Sequence, residues 1–480
     1  IKMPGIFSLE SIVAYAKSVD LFSKLRTKFL NRFLSAGASP GSVLVLKGMS
    51  DTQFYDTDQD REYRLESFFF YLFGVEEPDV TGLLEISTGL PHLFVPRLPV
   101  SLGLFLVVQT PEILFRKYGY QCHYLDEMSA VLSQINPSKI YLNKGTNSDS
   151  GVETPSTYVK LPEFDSYEID ENLLYPHLSE SRVTKIPEEF EILKRAALAA
   201  SEAHIEAMKI CKPNMMEYQL AATFYHHIQF SYGQTHAFTP IIGSGNNGSV
   251  LHYPNKNCNM EDGTMVVSDM GSYVYGFCSD ITCSYPVNGV FTPKQAGIYN
   301  AVLKANRAVI GAMKPGVDWT DMHILAERVI IQDLVEIGLL RGDIDEMVEK
   351  HVGAIFFPHG LGHFLGMDTH DVGGYSAGHP RHTCPGLKKL RTRRTLEDGM
   401  YITVEPGCYF IDFALDEALA DPLLSGFLVP EKIQEYRGFG GVRIEEDVKV
   451  TATGCEILTR VPRTVPQIEA CMRGEDWTLL

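Results

Sequence analysis

Two apolar, strand-like segments that each carry an aspartate constrain this chain more than any other feature: MVVSDMG (265–271) and FCSDITCSY (277–285). Met265, Val266, Val267, Ile281 and Cys283 predict a buried hairpin. A turn centred between Val274 and Tyr275 pairs Asp269 with Asp280. Either aspartate alone reads as a turn cap or a solvated side chain. Opposed across a buried ladder, like charges destabilise the sheet, and one carboxyl must hold a proton unless a cation is present.

Two further strands carry acids. MYITVEPGCYFI (400–411) is apolar except at Glu405, and glutamate is rarely buried without a partner. In GGVRIEEDVKV (440–450), Val442, Ile444, Val448 and Val450 share one face, and Arg443, Glu445, Asp447 and Lys449 the other. That alternation by itself is the pattern of a sheet edge with a charged outer face. The stretch FFPHGLGHFLGMDTHDVGGY (356–375) sets His359, His363 and His370 among glycines, which suit a chain bending closely around a site. Gly360 and Gly362 disfavour a helix there and no HExxH glutamate is present, which argues against a zincin.

Asp269, Asp280, Glu405 and Glu445 would supply four negative charges and His363 one neutral nitrogen, a set that balances two divalent cations. Carboxylates with a single imidazole suit manganese, and also cobalt or zinc. Two such ions would form a hydrolytic centre with a water deprotonated near neutral pH.

The chain has 480 residues, which favours two domains. Strand-like GSVLVLKG (41–48), SFFFYLFG (67–74), TGLLEIS (81–87) and HLFVPRL (92–98), interleaved with helical 110–119 and 126–135, predict an α/β unit. Residues 141–164 are polar and rich in turn formers, a loop near a domain edge. From about residue 183 the organisation changes. A long amphipathic helix over 186–211 opens the second domain, and helices at 292–313 and 318–338 are expected to cover a mostly antiparallel sheet. The fold class is therefore α+β, with domains 1–182 and 183–480.

A net charge of −18 argues against a nucleic-acid or anionic-membrane partner, and KKLRTRR (388–394) reads as a solvated face. Nine dispersed cysteines without a CxxC pair imply no disulfide framework and fit a reduced, cytoplasmic setting. The start has no basic and apolar leader pattern, and no segment is apolar enough to span a membrane.

Taken together, SDMG with SDITCSYP, HGLGHFLGMDTHDVGGY, TVEPG and GGVRIEEDV closely resemble the motifs of the prolidases, Xaa-Pro dipeptidases of the pita-bread metallopeptidase family. The likeness extends to RLESFFFYLFGVEEPD, LFVPRLP, SGNNGSVLHY and CEILTRVPRTVPQIEACM, and so covers essentially the whole chain. It implies a creatinase/prolidase-type N-terminal α/β domain before a C-terminal pita-bread domain of the creatinase/aminopeptidase type. It also implies two divalent ions per subunit, usually manganese, on Asp269, Asp280, His363, Glu405 and Glu445, with Asp280 and Glu445 bridging. Glu405 would help move a water proton. His252, His359 and His370 would bind substrate and stabilise the tetrahedral intermediate, Arg391 would take the substrate's C-terminal carboxylate, and Arg443 would add a substrate-side charge. A homodimer is implied, its first domain contributing to the partner's site opening.

Two departures stand out. Phe238 replaces a tyrosine whose hydroxyl reaches the metals in animal relatives, a contact then absent or supplied by a group such as His236. Residues 253–263 form a shorter stretch than in those relatives. The same ligands serve aminopeptidase P, which trims longer Xaa-Pro peptides, so that activity is the nearest alternative. A non-catalytic pita-bread binding protein and a creatinase-like C–N hydrolase are weaker ones.

Overall fold

The computed structural model describes residues 7–50, 52–154, 157–376 and 378–480. Residues 1–6, on which the reading of the chain's start partly rests, and 155–156 of the expected loop lie outside them. The chain divides into two compact units, one of residues 14–182 and one of residues 183–480 that also takes in 7–13.

In the smaller unit, β1 (Val43–Lys47), β2 (Thr81–Glu85), β3 (Pro91–Val95), β4 (Gln121–Tyr124), β5 (Ile140–Leu142) and β6 (Ile169–Asp170) form one sheet in the order β4-β3-β2-β1-β5-β6. The pairs β1–β2 and β2–β3 are antiparallel, whereas β1–β5, β3–β4 and β5–β6 are parallel. Strand alternation sends Val43 and Val45 into a core with Leu83, Met128 and Leu132, while Leu44 and Leu46 are buried on the opposite face. A sheet covered on both faces is what the α/β expectation requires.

The run SFFFYLF is a helix, Ser67–Phe73, and not the expected strand. An apolar run buried all round has no period to separate the two, so its ends decide. The Glu66 side chain accepts from the Phe69 N–H as an N-cap, and Gly74 closes the helix at φ 65°. Near this sheet, Val100, Leu104, Phe105 and Val107 form an exposed apolar run.

The larger unit is built on helices Pro187–Ile210, Glu217–Tyr232, Pro293–Ala312 and Trp319–Ile337. Ala196, Ala200, Ala203 and Ala207 give the first of these a small-residue face that lies fully buried. The strands are β7 (Thr235–His236), β8 (Ile241–Ser244), β9 (Met265–Met270), β10 (Ser272–Val274), β11 (Phe277–Cys278), β12 (Ile281–Pro286), β13 (Tyr401–Val404), β14 (Gly407–Tyr409), β15 (Gly441–Arg443), β16 (Glu446–Thr451) and β17 (Gly454–Ile457). They pair as β12-β9-β8, β11-β10-β7, β13-β16-β17 and β14-β15, and every pair is antiparallel. Residues 443–447 do not form a charged outer face. β16 lies between β13 and β17, and Arg443, Glu445, Glu446 and Asp447 are all buried. Among the described residues no helix is long and apolar enough to cross a membrane.

Candidate metal centre

The hairpin that carries the two aspartates turns one residue later than expected. Tyr275 and Gly276 both have positive φ, 46° and 82°, as a two-residue primed hairpin turn requires. β9 and β12 therefore pair Asp269 with Thr282, and not with Asp280. The register moves by two residues, an even shift, so both carboxylates stay on one face. Gly271 permits the break between the two ladders, because a Cβ there would come 1.9 Å from the Ser279 carbonyl oxygen. At that break the Asp280 N–H leaves the ladder and donates to the Asp447 carboxylate at 3.2 and 3.3 Å.

Glu405 and Glu445 sit at a second break. Val404 pairs with Glu446 and Gly407 with Arg443, so the two glutamates face each other across the gap. The chain from Leu361 to Phe364 runs along β13: Thr403 N–H donates to the His363 carbonyl and Glu405 N–H to that of Leu361. Gly362 allows this approach, since a Cβ would stand 2.0 Å from the Thr403 carbonyl oxygen.

These breaks bring Asp280, His363 and Glu445 together, with one ligand atom of each lying within 4.8 Å of the others. His363 Nδ1 lies 3.0 Å from the Phe364 carbonyl and donates to it, which leaves the Nε2 lone pair facing Asp280 Oδ2 at 3.4 Å and Glu405 Oε1 at 3.5 Å. Asp269 joins through Arg443, whose Nη2 donates to Oδ2 at 2.7 Å. The same guanidinium donates to Tyr409 Oη and Thr282 Oγ1, and Thr282 Oγ1 donates to Glu445 Oε2 at 2.7 Å. Asp269 Oδ1 and Asp280 Oδ1 are buried without a hydrogen-bond partner.

Burial and mutual repulsion decide the protonation here. The Asp280 carboxyl is driven well above the usual range by burial and then by Glu445, Asp269 and Glu405, and Glu445 by burial, Glu405 and Asp269. Glu405 is pushed up to about 7 by burial, against the pull of Arg443. Lone pairs of an imidazole and two carboxylates that face one another with orphaned oxygens nearby are the donor set of a divalent cation site.

The remaining expected residues lie around this cluster. His359 is engaged at both nitrogens: Nδ1 donates to the Gly360 carbonyl at 2.8 Å and Nε2 lies 2.9 Å from Tyr409 Oη. Burial holds it neutral, its pKa pushed down to about 3. The His370 ring meets the His363 ring edge-on at 4.5 Å. Arg391 is half-buried and close enough for its charge to act on Glu405, His370 and His252.

His252 is exposed on a loop that a buried carboxylate closes. Glu217 Oε1 accepts from the Ser244 N–H, the Ser244 hydroxyl and the Asn247 amide, and Oε2 accepts from the Cys258 N–H at 3.2 Å. Phe238 lies against Gly271, and the His236 ring packs on Tyr225 at 5.0 Å. Tyr409, Thr282, Thr403 and Asp447 escaped sequence reasoning. Asp447 carried a signal, since it alternates with Arg443 and Glu445. Tyr409 carried none, because its role depends on pairing opposite Gly441.

The sequence profile of metallopeptidase family M24 matches residues 191–452, which hold the whole cluster, and that of the aminopeptidase P N-terminal domain matches residues 22–141. The chain belongs to metallopeptidase family M24. As an M24 chain it has the pita-bread catalytic domain preceded by an aminopeptidase P-type α/β domain, and the family uses divalent metal ions. It is 47% identical to a human Xaa-Pro dipeptidase over 468 residues, covering 95% of this chain and 94% of that protein. It is 33% identical to a probable Xaa-Pro aminopeptidase of Talaromyces marneffei, covering 91% of this chain and 94% of the relative. Among solved structures, zinc-substituted Escherichia coli aminopeptidase P in complex with product superposes with a TM-score of 0.76 at 29% identity, covering 94% of this M24 chain and 98% of that one.

Proposed function

We propose that this M24 metallopeptidase hydrolyses Xaa-Pro dipeptides with two divalent ions, manganese above all, held by Asp269, Asp280, His363, Glu405 and Glu445. The observation that carries the reading is the cluster at His363 Nε2, where Asp280 Oδ2 and Glu405 Oε1 stand 3.4 and 3.5 Å away. The names of the mammalian relatives, Xaa-Pro dipeptidases at 46 to 47% identity, support the substrate class. Four carboxylates, with Arg443 beside Asp269, would offset the charge of two divalent ions.

Bound there, such ions would polarise the scissile carbonyl and make hydroxide available near neutral pH. Glu405, which faces Glu445 across the gap, would take the water's proton and pass it to the leaving proline nitrogen. His370, beside His363, is placed to donate to the developing oxyanion. His359 gives its Nδ1 proton to Gly360 and faces Tyr409 with Nε2, so its contribution runs through that phenol and Arg443. Arg443 acts first as the countercharge of Asp269. Arg391 takes the substrate's C-terminal carboxylate in a charge-assisted pair, and His252 faces the substrate from its loop. A carboxylate at that point belongs to a dipeptide and not to a longer chain.

The same proposal includes domains 1–182 and 183–480; the division into compact units after Arg182 supports the boundary between them, although residues 7–13 group with the larger unit. It also includes a homodimer, supported by the exposed apolar run at Val100–Val107, and a reducing, cytoplasmic setting, supported by nine cysteines that form no disulfide among the described residues. The test is hydrolysis of Gly-Pro and Gly-Pro-Gly by chelated and then Mn²⁺-reconstituted protein, with metal stoichiometry recorded on the same sample. Mn²⁺-dependent cleavage of Gly-Pro alone is expected. Cleavage mainly of the tripeptide would move the reading to aminopeptidase P, the activity named for the solved neighbours.

A further inference from the structure

The break that sets Glu405 against Glu445 leaves a backbone group to be satisfied. Because the pairings Val404–Glu446 and Gly407–Arg443 share one register, Pro406 faces Ile444. Ile444 N–H donates to the Pro406 carbonyl at 3.3 Å. In an antiparallel pair of this kind the opposite residue returns the bond, but Pro406 has no N–H. The Ile444 carbonyl, immediately before Glu445, thus loses its sheet donor.

Asn306, fully buried on helix Pro293–Ala312, supplies one. Its Nδ2 donates to the Ile444 carbonyl at 3.3 Å and to the Val404 carbonyl at 2.9 Å. These carbonyls immediately precede Glu445 and Glu405. The amide cannot be turned round, because Arg307 Nη1 donates to Asn306 Oδ1 at 3.1 Å and also pairs with Glu446 Oε1 at 2.9 Å. On the far side of Glu446, Arg463 donates to both its carboxylate oxygens, to the Glu445 carbonyl and to the Thr282 carbonyl. One side-chain amide therefore spans the two points from which facing carboxylates project, and an ion-paired layer behind it fixes its direction.

We infer that Asn306 is a positioning residue that stands in for the missing Pro406 N–H and sets the separation of Glu405 and Glu445, and with it the ability of the centre to hold a second metal ion. The inference rests on the two-ion reading above. An apolar side chain of similar size at 306 leaves the helix packed but strips the Ile444 carbonyl of its donor and cuts the tie to the Val404 carbonyl, so the two carboxylates lose their fixed spacing. Restoring an N–H at 406 returns a donor to the Ile444 carbonyl without touching position 306.

The experiment is Mn²⁺ titration of the chelated full-length chain by calorimetry, for wild type, Asn306→Leu and Asn306→Leu/Pro406→Ala, with the thermal midpoint of each metal-free protein recorded. N306L should weaken the weaker of two Mn²⁺ steps at least tenfold, and the double variant should recover most of that loss, which a purely packing role for Asn306 would not produce. Wild-type-like titration of N306L, or a double variant no better than N306L, overturns the inference while leaving the two-ion reading intact. A wild-type chain that takes up no Mn²⁺ overturns that reading and the inference with it. If N306L does not fold, the double variant decides: folded with two Mn²⁺ supports the inference, and unfolded overturns it.

Discussion

Lys185 Nζ lies 3.0 Å from Asp371 Oδ2, and both side chains are almost wholly withdrawn from solvent. The pair ties the segment before the long helix Pro187–Ile210 to the residue after His370, and Asp371 N–H donates in turn to the Phe364 carbonyl. Removing one partner strands a buried charge, which costs about 3–5 kcal/mol, whereas removing both does not. Lys185→Met should lower stability by about that amount, and Lys185→Met/Asp371→Leu should recover most of it. Urea unfolding of the metal-free chain measures both. Turnover should fall in the single variant through displacement of His370.

Asp280→Asn replaces with a neutral amide the buried carboxyl that Glu445, Asp269 and Glu405 hold well above its usual range. The metal-free protein should melt at a higher temperature than the wild type. Mn²⁺ uptake and Gly-Pro turnover should fall together by more than about a hundredfold. Calorimetric titration beside a thermal scan checks both halves, and a variant that keeps metal but loses turnover would remove Asp280 from the ligand set.

Arg391→Ala should leave Mn²⁺ stoichiometry unchanged and raise KM for Gly-Pro, because it deletes a contact to substrate and no metal ligand. A charge-assisted pair at a partly exposed site makes an increase of about tenfold or more the expected size. Unchanged dipeptide kinetics would assign the C-terminal carboxylate to another residue.

Glu327, buried on helix Trp319–Ile337, has its carboxyl pushed up to about 7 by burial, against the N–H groups of Gly353 and Ala354. A carboxyl whose pKa is raised on folding binds more protons in the native state. Its stabilising contribution is therefore complete below about pH 4.5 and is lost as pH rises through about 7. Glu327→Gln should flatten the decline in stability between about pH 5 and 8, by no more than about 3 kcal/mol. Thermal midpoints of wild type and variant across that range, in chelator, give the comparison.

Much of the site was legible because a buried acid in an apolar strand is anomalous wherever it falls. Asp269, Asp280 and Glu405 each broke such a run, and His363 stood among glycines that the backbone needs for close approach. What sequence could not supply was pairing between distant segments. The opposition of Glu405 and Glu445 depends on β13 meeting β16, and the burial of the Arg443, Glu445 and Asp447 face depends on that strand lying inside a sheet and not at its edge. The hairpin register turned on one left-handed tyrosine, Tyr275, a conformation side-chain chemistry does not announce. The helix at Ser67–Phe73 was hidden for the opposite reason: with every residue buried, no periodic signal remained, and only the Glu66 cap and Gly74 marked it.

Of the nine cysteines, Cys258 is the exposed one, and it closes the loop that carries His252 through its bond to Glu217. A maleimide dye added to the unaltered protein would react there first and report from beside the site. Its Sγ lies 3.4 Å from Tyr253 Oη, next to His252 in the chain, so the emission of such a label would follow movement of that loop as a dipeptide arrives. The molecule thus carries its own attachment point for a fluorescence assay of substrate entry, with no engineered residue.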